Sequence, residues 1–260
     1  MAASITPFHI DIPQSQLEDL KTRLAMSRWP DAELVDDWSQ GVPLAKLKSL
    51  CDYWQHHYDW RRCESKLNSY PQFTSQFDGL DIHFLHIRSP HDNAMPLLMT
   101  HGWPGSILEF IKVIEPLCNP TAFGGQAEDA FHLVIPSLPG YGFSGKPTST
   151  GWNLDKIAQT WIELMTRLGY PQYVAQGGDW GSGVTTAIGI INPPECLAIH
   201  LNMVLAQPNA DDLKKLNDRE QQALVDIKHY FDAGSGYAMI QKSRPQTIGY
   251  GLADSPVAQA

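Results

Sequence analysis

The apolar positions change period along the chain, and the changes divide it into three parts. Leu17, Leu20 and Leu24 recur at helical spacing after Pro13, a residue suited to a first helical turn, and Pro30 closes that segment. After Pro43, the residues Leu44, Leu47, Cys51, Trp54 and Tyr58 alternate spacings of three and four. Such a face must cover something apolar, so residues 1–70 predict a helical arm in which most of Trp29, Trp38, Trp54 and Trp60 serve packing.

From about Pro71 the period falls to two. Residues 73–77 and 80–87 flank Asp78-Gly79, a strong hairpin signal. Residues 96–100 and 131–136 are short apolar runs that predict buried strands, the first followed by a helix through Leu108, Ile111 and Ile114. Leu154, Ile157, Trp161, Leu164 and Leu168 share one helical face. A strand entering at Tyr173, a helix carried by Val184, Ile188 and Ile191, and a strand over 197–203 complete six predicted strands within residues 71–206. Strands alternating with helices place the chain in the α/β class, with a mostly parallel sheet flanked by helices. From Pro208 the character changes again. Asp211-Asp212 opens a polar helical stretch with an apolar stripe of Leu224, Ile227 and Phe231, followed by the Gly-rich break Ala233-Gly234-Ser235-Gly236. Residues 207–260 therefore predict a separate helical element set over the sheet.

Composition narrows the functional classes. Of 260 residues, 43% are apolar and 18% charged, enough for a sizeable core in one large domain or two. A formal charge of -9 disfavours nucleic acid or an anionic membrane surface as partner. Residues 1–30 contain Pro7, Pro13 and several charges, and no apolar run long enough for a signal or membrane span. The reading is a soluble, cytoplasmic chain without a membrane anchor, for which a homo-oligomer is within expectation. Cys51, Cys63, Cys118 and Cys196 show no metal-ligand spacing and read as free thiols, an even count leaving disulfides open. No metal or cofactor is expected.

The candidate chemistry sits at Gly177-Gly178-Asp179-Trp180-Gly181-Ser182, between a strand and a helix. A strained strand-to-helix turn holds its central side chain above a sheet, and small neighbours let the backbones approach. Serine hydrolases carry Ser at the centre of such an elbow; here the centre is Asp179. A carboxylate there can attack a saturated electrophilic carbon and form an alkyl ester on the enzyme. Water must then attack the ester carbonyl, with backbone N–H groups near the elbow stabilising the oxyanion. The competing reading is a Gly-rich turn with a solvated Asp.

Further motifs run through the chain: Arg28-Trp29-Pro30, Tyr58-Asp59-Trp60-Arg61, Asp78-Gly79-Leu80, His101-Gly102-Trp103-Pro104-Gly105-Ser106, Pro139-Gly140-Tyr141-Gly142-Phe143-Ser144, His200-Leu201-Asn202-Met203 and Ser235-Gly236-Tyr237. In these residues and their order the chain resembles the microsomal-type epoxide hydrolases of the α/β-hydrolase superfamily, with an epoxide hydrolase N-terminal segment in front. The resemblance implies an epoxide as small-molecule substrate and a vicinal diol as product. It assigns the nucleophile to Asp179 and the proton donor for the epoxide oxygen to the lid residue Tyr237. It also assigns the oxyanion hole to the backbone N–H groups of Trp103 and Trp180.

The same resemblance implies that some of the catalytic machinery lies beyond Ala260. The family's acid, general-base histidine and second lid tyrosine belong to later segments, so the chain reads as C-terminally truncated, with the last core strands missing and the sixth strand an unprotected sheet edge. Turnover is then expected to stall at the ester. None of the 10 histidines matches the family's base: His101 lies in a loop, His200 reads as a hydrogen-bonded core histidine in an apolar strand, and His229 reads as solvated. Two alternatives stay open, a haloalkane dehalogenase-like hydrolase, in which Trp180 would bind halide, and a non-catalytic fragment.

Overall fold

The computed structural model describes residues 4–206 and 208–260. Two compact units divide the chain, Met1–Ile10 with Glu64–Leu205 and Asp11–Cys63 with Ala206–Ala260.

The first unit is built on a mixed seven-stranded sheet. In chain order its strands are β1 (Thr6–Pro7), β2 (Gln72–Phe77), β3 (Leu80–Ile87), β4 (Met95–Thr100), β5 (Phe131–Pro136), β6 (Tyr173–Gly177) and β7 (Cys196–Leu201), and in space they run β1-β2-β3-β5-β4-β6-β7. The β1–β2, β2–β3 and β3–β5 pairs are antiparallel, and β5, β4, β6 and β7 run parallel. The β2–β3 hairpin closes with Phe77 opposite Leu80, and both turn residues are left-handed, Asp78 at φ 47° and Gly79 at φ 80°. That is the primed turn whose twist matches the flanking strands, and Asp-Gly favours it because both residues tolerate positive φ. The two-residue β1 carries no readable period and was not expected from the apolar pattern.

The helices of the chain are α1 (Gln14–Ala25), α2 (Leu44–His56), α3 (Trp60–Asn68), α4 (Ile114–Cys118), α5 (Leu154–Arg167), α6 (Trp180–Ile191), α7 (Asp218–His229), α8 (Gly236–Ser243), α9 (Pro245–Asp254) and α10 (Pro256–Gln259). Asn153 starts α5 by accepting the Lys156 N–H on its side chain at 2.9 Å. At the other end Arg167 lies over the Phe77 ring at 3.8 Å and donates to Gln76 O, tying the helix to β2. Trp161 and Leu164 of α5 and Val184 and Ile188 of α6 are fully buried against Ile82, Phe84, Leu98 and Val134. Each such side chain contributes about 1.5–3 kcal/mol by leaving water.

Several expectations need correction. The segment around Leu108, Ile111 and Ile114 is not one helix but a 3-10 turn, Ile107–Phe110, followed by the short α4. Pro116 has no N–H to bond Lys112 O, so a continuous α-helix could not run through it. His200 is exposed rather than buried, because β7 pairs with β6 alone among the described strands and Leu197 and Ile199 beside it are exposed too. In the second unit the α1 and α2 stripes are partly buried at Leu17, Leu20, Leu44, Leu47 and Trp54 and fully buried at Leu24 and Cys51, but Tyr58 and Trp38 are exposed. Leu224, Ile227 and Phe231 of the later stripe are exposed as well, Leu224 and Ile227 lining an open hollow with Pro208 and Leu216. Within that unit Arg23 of α1 donates to Asp254 O at 3.0 Å. All four cysteines are free. Among the described residues no helix is long and apolar enough to cross a membrane, and no group of His, Cys, Asp or Glu could hold a metal ion.

One buried histidine gives the first unit a pH dependence. Gln72 Nε2 donates to Leu67 O, which leaves Gln72 Oε1 to accept from His83 Nε2 at 2.9 Å, and His83 Nδ1 then accepts from Ser137 Oγ at 2.9 Å. Burial holds His83 neutral, with its pKa lowered from 6.5 to about 4. The unfolded chain binds that proton more tightly, so stability is level above about pH 6.5 and falls as pH drops toward about 4, by on the order of 3 kcal/mol from this residue. Thermal midpoints of the chain are therefore expected to fall across that interval, and those of a His83→Asn chain to fall less steeply.

Candidate active site

The carboxyl ends of β4 and β6 build the site, as expected where parallel strands lie side by side. β6 ends at Gly177, and Asp179 follows as the N-cap of α6 at φ 51°, ψ −123°. A positive φ with that ψ lies outside the ordinary allowed regions, costs about 1–3 kcal/mol and persists because packing leaves no alternative. The elbow is jammed against its neighbours. A Cβ on Gly177 would lie 2.0 Å from Gly181 O, and one on Gly181 would lie 1.9 Å from Thr100 O. Asn202 N–H donates to Gly177 O at 3.1 Å, and Ser182 Oγ donates to Met203 O, so the segment after β7 braces the same turn.

The loop leaving β4 delivers the donor side. His101 is buried with both ring nitrogens engaged: Nδ1 donates to Gly102 O at 3.0 Å and Nε2 accepts from Leu138 N–H at 3.1 Å. Burial lowers its pKa, and the Gly102 carbonyl opposes that only in part. His101 is thus a neutral strut of the loop, and no base. The cis peptide Trp103-Pro104 follows, and Trp103 N–H donates to Asp179 Oδ1 at 2.8 Å. As the first residue of α6, Trp180 offers one of the four N–H groups for which a helix has no internal acceptor. The Trp103 donor therefore stands beside the Asp179 carboxylate at the N-terminus of α6, whose positive end also favours negative charge.

Two neighbours of Asp179 were not foreseen. Glu109, in the 3-10 turn after the loop, has its pKa raised, chiefly by burial and also by the Asp179 charge. Tyr141, whose ring meets His101 edge-on at 5.5 Å, has its pKa raised by burial and by the same charge. With Trp180, Trp152, Leu138, Leu154, Ile157 and Val184, Tyr141 lines an apolar cavity of about 390 Å³. Only the motif position of Tyr141 signalled this, since the distance is set by tertiary packing. Trp103, Asp179 and Trp180 come together in the first unit. Tyr237 belongs to the second, at the start of α8 after a single π turn, Tyr230–Gly234, and its hydroxyl lies 3.2 Å from that of Tyr230.

Known proteins share this arrangement of sequence and fold. Residues 5–110 match the family model described as epoxide hydrolase N terminus, and residues 95–232 match that of the alpha/beta hydrolase fold. A Stigmatella aurantiaca protein, named only provisionally as an epoxide hydrolase, is 58% identical over 256 residues, covering 98% of this chain and 58% of that protein. Epoxide hydrolase 1 of Oryctolagus cuniculus is 36% identical over 276 residues, covering 99% of this chain and 61% of its own length. The solved structure of Aspergillus niger epoxide hydrolase superposes with a TM-score of 0.86 at 36% identity, over 98% of this chain and 67% of that one. The present chain thus spans about three fifths of the length of the curated relatives it matches.

Proposed function

The chain belongs to the α/β-hydrolase fold family and carries the epoxide hydrolase N terminus, and from that premise we propose that it acts on epoxides through an ester formed on Asp179. The observation that carries the reading is a carboxylate at the tip of a strained elbow with the Trp103 N–H on its Oδ1 at 2.8 Å. A solvated Asp in an ordinary turn would have neither the conformation nor the donor.

The steps proposed follow from that geometry at Asp179 and from the family resemblance at Tyr237. The carboxylate oxygen not held by Trp103 attacks a ring carbon of the epoxide, and the C–O bond to the ring oxygen breaks. Tyr237, a neutral phenol at pH 7, gives its proton to the developing alkoxide. The Asp179 oxygen already held by Trp103 becomes the ester carbonyl oxygen. When water attacks the carbonyl carbon, that oxygen turns into the oxyanion, and the N–H groups of Trp103 and Trp180 stabilise it without moving. Collapse breaks the ester C–O bond, one proton of the attacking water going to the departing diol oxygen and the other, through solvent, to the Tyr237 phenolate. The Asp179 carboxylate and the phenol are thereby restored, and the released vicinal diol keeps one oxygen from Asp179. The role of Tyr237 rests on the Ser235-Gly236-Tyr237 resemblance, and residues 207–260 are accordingly proposed as the beginning of a lid, with residues 1–70 as its accompanying arm and 71–206 as the core.

The relatives carry epoxide hydrolase names, which favours this reading over a haloalkane dehalogenase-like or a non-catalytic one. The deciding experiment offers the chain an aryl epoxide and a haloalkane in parallel. A one-substrate mass increase or diol from the epoxide, with no halide release from the haloalkane, is expected. Halide release without epoxide chemistry would overturn the proposal.

A further inference from the structure

Two successive backbone amides leave the loop after β4, and each meets a different carboxyl group. Trp103 N–H donates to Asp179 Oδ1 at 2.8 Å, and Gly102 N–H donates to Glu109 Oε1 at 3.4 Å. One peptide unit therefore stands between a carboxylate placed to react and a second carboxyl that is not. Glu109 sits in the first turn after the loop and is exposed to water, with its Oε1 turned back toward that loop. Its Oε1 fills the space a side chain at position 105 would need, 1.7 Å from where a Cβ on Gly105 would stand. A Cβ on Gly102 would likewise lie 2.5 Å from Asp179 Oδ1. The two glycines make room for two carboxyl groups on one short loop.

Resting on the reading of Asp179 as nucleophile, we propose that Glu109 is the positioning residue of this loop: it holds Gly102 N–H so that the next amide, Trp103, aims at Asp179, and its charge is coupled to that of Asp179. The electrostatics run the same way. Burial is the largest cause raising the Glu109 pKa, the Gly102 amide opposes it, and the Asp179 charge adds to the rise. The other group turned toward Asp179 is the Tyr141 phenol, which is neutral at pH 7 and adds no charge to the pair. Esterification replaces the Asp179 carboxylate with a neutral group, so its repulsion of Glu109 ends. The pH at which Glu109 ionises then falls, and the ionised carboxylate is the stronger acceptor for Gly102 N–H.

Two measurements on the whole chain test this. Carbon-13 NMR of the Glu109 carboxyl is expected to show a lower titration midpoint in Asp179→Asn than in the unchanged chain, and an identical midpoint would overturn the coupling. In single-turnover alkylation by an aryl epoxide, followed by intact mass, Glu109→Ala is expected to slow adduct formation about tenfold. Glu109→Gln, which keeps an acceptor for Gly102 N–H, is expected to recover most of that loss. Alkylation of Glu109→Ala at the unchanged rate would overturn the positioning role. Absence of any adduct in the unchanged chain would sink the reading of Asp179 instead, and the NMR comparison, which needs no turnover, would still decide the Glu109 pair.

Discussion

Gly181→Ala is expected to destabilise the first unit by more than about 3 kcal/mol and to leave little cooperatively folding protein. The added methyl would lie 1.9 Å from Thr100 O, 2.6 Å from Thr100 C and 2.8 Å from His101 O. All three are backbone atoms at the end of β4, a strand paired on both sides, so no rotamer change can relieve the clash. Overpacking against side chains typically costs about 1–3 kcal/mol, and here neither partner can turn aside. The internal control is Gly178, one residue before Asp179. There a methyl would meet Asn202 Cβ at 3.7 Å and Cγ at 3.9 Å, both ordinary contacts, so Gly178→Ala should stay within about 1 kcal/mol of the unchanged chain. Thermal unfolding of the two variants side by side checks the account. Equal midpoints would mean that the elbow is not packed as described.

The second large effect is chemical. Asp179→Asn is expected to lower the rate of epoxide alkylation by at least about 10⁴-fold, the scale on which removal of a nucleophile acts in other covalent enzymes. An amide oxygen carries no negative charge to attack a saturated carbon. The fold should survive, because Asn keeps the size and shape of Asp and an acceptor for Trp103 N–H. Loss of alkylation with an unchanged melting curve therefore separates chemistry from folding. Full activity in this variant would leave the elbow without a catalytic role.

Much of the first unit was legible because its strands announce themselves locally. Asp78-Gly79 between alternating apolar runs fixes a primed hairpin turn by backbone conformation alone. The elbow was legible for a similar reason: glycines crowd one acidic residue only where backbones must touch, and the contacts at Gly177 and Gly181 show how closely. What escaped the sequence was set by tertiary packing. His200 sits in an apolar strand, yet it is exposed because β7 lies at the edge of the described sheet. The pattern through Leu108, Ile111 and Ile114 has helical period, but Pro116 withholds the N–H a continuous helix needs. The nine-residue α3 helix is amphipathic but short and poor in apolar residues, with only Glu64 and Leu67 fully buried, and the apolar pattern alone did not announce it. Glu109 and Tyr141 come near Asp179 only because two loops fold toward one strand end, which no spacing along the chain reveals.

The central claim is that the Asp179 carboxyl forms a bond to substrate, and locating that bond tests it most directly. The chain would be mixed with an aryl epoxide, quenched rapidly in acid, digested, and its peptides sequenced by tandem mass spectrometry. The expected result is one epoxide mass on the peptide containing Gly177 to Ser182, borne as an ester by Asp179. A label found only on another residue, such as Cys63 or Glu109, with the Asp179 peptide unmodified, would contradict it.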